Sequence, residues 1–191
     1  MKFRGLIIIL AGLLILAGCA TLNKEECLSG DWHGLGMRDG VNGEPAVRIE
    51  KHRKACAEYG VQPDERRYLD GRIEGLREYC RIDNAFRTGL DGKRYQGVCP
   101  PAIDSLFWRY NEAAYAVHQT KEEIKQLNSE LSGRESRLRS KKTTDKERSY
   151  LREEIRDRDR KLDDLRYNLR NQERKLDDLM EEARQGRGVR R

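Results

Sequence analysis

Apolar positions along this chain fall into three regimes. The first is an unbroken run from Leu6 to Gly18, preceded by Lys2 and Arg4. At about 13 residues it is well short of the ~20 that a membrane-spanning helix needs. From residue 27 to 100 the pattern breaks into short stretches with helical spacing, punctuated by Gly and Pro. Ile49, His52, Cys56 and Tyr59 share one face of a predicted helix that runs from about Glu44 to Tyr59, with Pro45 in its first turn and Gly60 as its stop. A second helix is predicted from Pro63-Asp64-Glu65 to near Cys80. Leu69, Ile73, Leu76 and Cys80 line one side of it, and Tyr68, Gly71, Gly75 and Tyr79 the adjacent side. Two glycines four apart let another backbone come close, and no Gly-Lys-Ser/Thr follows to make a phosphate loop. Asp39-Gly40, Asp70-Gly71 and Asp91-Gly92 punctuate this region, with Gly40 a turn-type glycine; residues 84–95 read as a helical turn followed by a tight turn at Asp91-Gly92, and Cys99-Pro100-Pro101 as the close of the unit.

The third regime begins at Ile103, where apolar residues alternate three and four apart. Ile103, Leu106, Tyr110, Ala113, Val117, Thr120, Ile124, Leu127, Leu131, Arg134 and Leu138 form one heptad stripe. Leu151, Ile155, Arg158, Leu162, Leu165, Leu169, Gln172, Leu176, Leu179 and Ala183 form a second, in a different phase. Between them lie Lys141-Lys142, suited to a helix C-terminus, and Thr144-x-x-Glu147, which fits a capping box. The expectation is an antiparallel coiled-coil hairpin with arms of about 40 residues, ~60 Å long. With the turn centred near Lys141, Leu127 faces Ile155 and Val117 faces Leu165, while Ile124 meets Arg158 as a misfit and Tyr110 faces Gln172. A register displaced by one heptad satisfies the pattern equally. One continuous rod that dimerises is the competing reading, and Ser132-Gly133 weakens either.

The start of the chain carries a resemblance. A charged n-region, a short apolar stretch and Leu16-Ala17-Gly18-Cys19 resemble the signal and lipobox of a bacterial lipoprotein. This implies removal of residues 1–18 and a diacylglycerol and N-acyl lipid on Cys19, with no other cofactor. Ala20 after the cysteine implies sorting to the outer membrane, on its periplasmic side. Four cysteines remain, Cys27, Cys56, Cys80 and Cys99, an even set that in an exported chain predicts two disulfides. Three connectivities are open; Cys27–Cys56 with Cys80–Cys99 is favoured, because each then staples neighbouring elements. A zinc site is the lesser reading, since only His52 and Cys56 have ligand spacing.

A second resemblance lies within residues 27–100. Asp31-Trp32-x-x-Leu-Gly-x-x-Asp-Gly40, His52-x-x-x-Cys56, Tyr68-x-x-Gly-x-x-x-Gly-Leu-x-x-Tyr-Cys80 and Gly92-x-x-Tyr-x-x-Val-Cys-Pro100 resemble the domain-of-unknown-function family 2799 of Gram-negative lipoproteins. The resemblance implies a periplasm-facing lipoprotein and no particular activity.

Charge adds little. Residues 19–100 hold 14 basic and 14 acidic side chains, and residues 101–191 hold 23 and 19. An exported lipoprotein meets no nucleic acid, so the excess reads as a solvated helix surface, with weak contact to lipopolysaccharide or wall polymers as a further partner. A glycan-acting enzyme in residues 27–100 would use carboxylate pairs such as Asp31 with Asp39 or Glu74 with Glu78. Those spacings suit caps, turns and a solvated helix face instead, and no Gly-x-Ser-x-Gly elbow occurs, so an enzyme is not expected. The expected organisation is all-α: a signal (1–18), a lipid-anchored linker (19–26), a disulfide-stapled domain (27–100), a hairpin (101–186, turn near 140–145) and a disordered basic tail (187–191). The expected role is an adaptor or scaffold of the cell envelope that meets a protein partner or itself through the hairpin, at exposed positions such as Arg156 and Asn168. A structural spacer or wall-binding lipoprotein is the alternative.

Overall fold

The computed structural model describes residues 21–186; the expected signal, Cys19 and the tail 187–191 lie outside the described residues. Among the described residues there are seven helices and no strand: α1 (Lys24–Ser29), α2 (Trp32–Val41), α3 (Arg48–Ala57), α4 (Glu65–Tyr79), α5 (Ile82–Leu90), α6 (Pro101–Arg139) and α7 (Asp145–Arg184). The fold is the all-α stapled body with a long helical hairpin that the apolar pattern predicts.

Residues 21–26, expected as part of a linker, belong to the folded body. Leu22 is buried among Cys27, Trp32, Leu35, Ile49, Cys56 and Tyr68. Asn23 caps α1 through a complete capping box with Glu26, which satisfies two orphan amides reciprocally. Gly30 then takes the left-handed conformation that ends so short a helix.

α2 is the element the pattern did not reveal. Its sequence, Trp32-His-Gly-Leu-Gly-Met-Arg-Asp-Gly-Val41, is poor in helix formers, and Asp39-Gly40 reads as a turn when taken alone. Tertiary packing makes it helical. Gly36 and Gly40 of α2 lie against Gly71 and Gly75 of α4, and the two helices run parallel with their backbones in contact. A Cβ on Gly36 would overlap the Tyr68 carbonyl, and one on Gly75 the Met37 carbonyl. Each helix thus supplies one Gly-x-x-x-Gly, the pattern that lets helix axes approach most closely. The Asp70-Gly71 pair sits inside α4, where the predicted helix places Gly71. Asp91-Gly92 forms the expected tight turn, with Gly92 at φ 78°.

α3 begins at Arg48, not Glu44, because the chain after Pro45 winds its first turn with tighter three-residue bonds. It ends at Ala57, just before the left-handed Gly60. Asp64 caps α4 by accepting from the Arg67 amide.

α5 and the base of the hairpin share one core. Leu76, Tyr79, Cys80, Phe86, Tyr95, Cys99, Phe107, Tyr110, Val117, Leu176 and Leu179 bury one another across residue 100. Asn111 holds this junction together from a fully buried position. Its Nδ2 donates toward the Ala85 and Lys93 carbonyls and Thr88 Oγ1 at 3.0–3.2 Å, and its Oδ1 accepts from the Tyr95 amide at 2.7 Å. The stapled body and the hairpin are therefore not separated by a seam at Pro100.

Beyond the base, α6 and α7 pack antiparallel, 39 and 40 residues long, about 60 Å at 1.5 Å per residue. The turn spans residues 140–144, and Thr144 caps α7 by accepting from the Glu147 amide. Pairing follows the register displaced by a heptad: Leu127 joins Leu131 and Leu162 in one buried cluster, with Ile124, Ile155 and Leu165 around it. No described helix is long and apolar enough to cross a membrane.

Candidate interaction surface

The hairpin's seam explains its register. Arg134 and Arg158 occupy heptad positions that apolar residues normally fill. Each is shared between the same two carboxylates: Arg134 lies 3.5 Å from Glu130 and 3.3 Å from Glu154, and Arg158 lies 3.5 Å from both. This closed quartet is half-buried, so its pairs are screened less than those on an open surface. In the register centred on Lys141, Arg158 would face Ile124, leaving a cation against an apolar side chain. The displaced register removes that misfit. It also brings Lys121 to Glu173 at 2.9 Å and Lys161 to Glu123 at 2.7 Å. The expected Tyr110–Gln172 contact does not form: Tyr110 stacks on Phe86, with ring centroids 4.7 Å apart, and Gln172 Oε1 is buried without a partner among the described residues.

The outward faces of the arms are polar and open. Arg156 and Asn168, expected as partner-facing positions, are both exposed on α7. Two tyrosines on the same helix point outward as well, Tyr150 at 61 % and Tyr167 at 59 % exposure. The Arg170 guanidinium lies 6.0 Å from the centroid of the Tyr167 ring. Exposed amphipathic rings set among cations are the side chains most enriched where protein partners dock.

A different polar constellation lies inside the stapled body. His52 Nε2 is 2.7 Å from Asp39 Oδ2, the Tyr68 hydroxyl donates to the same oxygen at 2.7 Å, and His52 Nδ1 is 2.9 Å from Thr21 Oγ1. Burial works against the charge on Asp39, but the hydrogen bonds from His52 and Tyr68 outweigh it and hold the carboxyl below its ordinary range. Burial first, and then Asp39, pushes the Tyr68 phenol well above its ordinary value. An ionised Asp39 only accepts, so His52 presents Nε2–H to it and Nδ1 to the Thr21 hydroxyl. Hydroxyl, imidazole and carboxylate thus follow the order of a nucleophilic triad. The ring is only 1 % exposed, however, and Tyr68 is fully buried. In this arrangement the network clamps α2, α3, α4 and the segment that carries Thr21 together.

Cys19 lies outside the described residues. Cys27 pairs with Cys56, and Cys80 with Cys99, the favoured connectivity. Cys56 is therefore no zinc ligand, and His52 is occupied by Asp39 and Thr21. Asp31 and Asp39 are not brought together: Asp31 caps α2 by accepting from the Gly34 amide, while Asp39 is buried two turns further on. Glu74 stands 3.6 Å from His33, and Glu78 3.7 Å from Arg81, so each exposed carboxylate of that pair has a partner of its own on the solvated face of α4. What sequence reasoning missed is the meeting of Asp39, His52 and Tyr68. All three letters stand in the quoted motifs, and Asp39 was misread through its neighbour Gly40.

A model of a family described as protein of unknown function (DUF2799) matches residues 31–116. That span runs from the α2 cap across Pro100 into the hairpin's base, the same stretch that shares a core. No curated protein and no solved structure matches the chain.

Proposed function

Residues 31–116 place this chain in the DUF2799 family, and since the family brings no activity with it, we propose from the architecture that the protein is a non-catalytic adaptor of the cell envelope. One observation carries the reading: among the described residues, α6 and α7 are covered by the body at their base, and beyond it they pack against each other. A two-helix arm of this length buries a narrow seam and leaves most of its side chains to solvent. Ordering so many residues is worth its entropy when the exposed faces meet something.

In this reading Cys19 carries the lipid, and the protein faces the periplasm from the outer membrane. Thr21 and Leu22 are already part of the folded body, so Ala20 alone separates the acylated cysteine from it. The base would sit against the bilayer without a spacer, and the coiled-coil arm would present its partner face at a fixed attitude. Several acyl chains make such attachment effectively permanent.

The test is photo-crosslinking in intact cells from a reactive residue at Arg156 or Asn168, followed by mass spectrometry. The expected result is one envelope protein captured at high yield from both positions. Self-crosslinks or wall fragments alone would replace the adaptor with a structural spacer.

A further inference from the structure

The far end of the hairpin carries a charge that the rest of it does not. Residues 137–152 hold seven Lys or Arg and two Asp or Glu, whereas the remainder of 101–186 holds thirteen basic and seventeen acidic side chains. Some of the tip cations are engaged. Arg137 pairs with Glu147 and Arg139 with Glu135, and Arg148 donates to the Leu138 and Ser140 carbonyls, closing the end of α6. Lys141, Lys142, Lys146 and Arg152 are exposed and have no ion-pair partner among the described residues. Tyr150 stands one helical turn past Lys146, with its ring in solvent.

The shape of the tip narrows what these groups can meet. Two helices joined by residues 140–144 make a convex end, and its free cations stand exposed at four positions spread from 141 to 152. A single phosphate or carboxylate needs convergent donors, and a bound peptide needs a groove. A convex cluster suits a broad anionic plane. Three of the four free cations are lysines, compact and strongly hydrated point charges on flexible stems, which follow a diffuse field better than they grip a fixed bidentate partner. An exposed tyrosine beside them has the amphipathic ring that settles at the headgroup level of a bilayer.

We propose that the hairpin tip docks on an anionic lipid surface, with headgroup phosphates meeting Lys141, Lys142, Lys146 and Arg152 and Tyr150 lying at the interface. This deepens the adaptor reading by naming what its far end meets, and it rests on that reading only for the anchored base. With both ends engaged, a stiff arm of about 60 Å holds two surfaces at a set spacing.

The experiment uses the acylated full chain reconstituted in phosphatidylcholine vesicles. Flotation reports the anchor. A second population of vesicles, with or without phosphatidylglycerol, is then added, and its capture reports the tip. Capture of phosphatidylglycerol vesicles is expected, falling as salt is raised, with no capture of neutral ones. Replacing three lysines, K141Q/K142Q/K146Q, should lower the affinity for the anionic vesicles roughly 100-fold. A chain that does not float refutes the anchor, and its tip is then tested by direct sedimentation with the anionic vesicles. Capture unchanged by the triple variant, or equal for neutral vesicles, would overturn the proposal. So would a failure to bind lipid combined with crosslinking of an acidic protein from position 142.

Discussion

Asp39 shows how one side chain's role is set by residues far from it in the chain. Its partners His52 and Tyr68 lie 13 and 29 positions away, and each supplies one hydrogen bond to the same oxygen. Asp39→Asn keeps the shape but removes the charge that His52 donates to. Breaking one side of a buried pair in this way costs about 3 kcal/mol, read as a lower urea midpoint with an unchanged slope. Acid should act on the same group. Because the folded carboxyl titrates below its ordinary value near 4, its contribution is complete above that pH and is lost as pH falls through the folded value. Wild-type stability is therefore expected to fall steeply below about pH 4, and Asp39→Asn to lack that portion of the fall. A parallel loss in both proteins would show that Asp39 is not the group responsible. At this scale the cysteines were the most legible residues, because an even set of four with neighbouring elements to staple leaves few sensible pairings. Asp39 was not legible: a local Asp-Gly rule described it wrongly, and only the fold brings its partners to it.

Helices were read from the chain in proportion to how much of their stability is local. The two arms of the hairpin carry their own heptads, caps and breakers, and every stripe position on either arm is at least half-buried. α4 was equally clear from its acidic start and apolar face. α2 was invisible, since three of its ten residues are glycine and its stability comes from α4. The signal that would have found it was present as Gly36-x-x-x-Gly40, the counterpart of Gly71-x-x-x-Gly75. Two glycine substitutions separate these cases. Gly36→Ala must push the α2 and α4 backbones apart and should cost several kcal/mol, well beyond the ~1 kcal/mol that alanine's helix propensity returns. Gly133→Ala, in the interior of α6 with open space around it, should instead stabilise by about 1 kcal/mol. Thermal melts followed by circular dichroism distinguish the two, and a melting point lowered by both would mean that α6 tolerates no Cβ at position 133.

At the scale of the whole molecule, everything outward-facing depends on the hairpin closing on itself within one chain. If it does, the seam is used up, the faces that carry Arg156, Asn168 and the tip lysines are free, and the base is welded to the stapled body through Asn111 and the core that spans residue 100. If two chains paired instead, the same heptads would be satisfied but the surface left for a partner would differ. Periodicity alone allowed both, and allowed two registers of the hairpin; charge decides between the registers. In the one centred on Lys141, Arg158 would lie against Ile124, whereas in the fold it meets Glu130 and Glu154, while Lys121 pairs with Glu173 and Lys161 with Glu123. Those two ion pairs also supply the most direct test. A zero-length carbodiimide converts a lysine–carboxylate contact into an amide, and an equal mixture of unlabelled and nitrogen-15-labelled chains reveals whether both partners come from one molecule. The account predicts Lys121–Glu173 and Lys161–Glu123 links in peptides that are wholly light or wholly heavy. Mixed light–heavy links at those positions would mean that the arms pair between chains, and the self-contained hairpin would have to be abandoned.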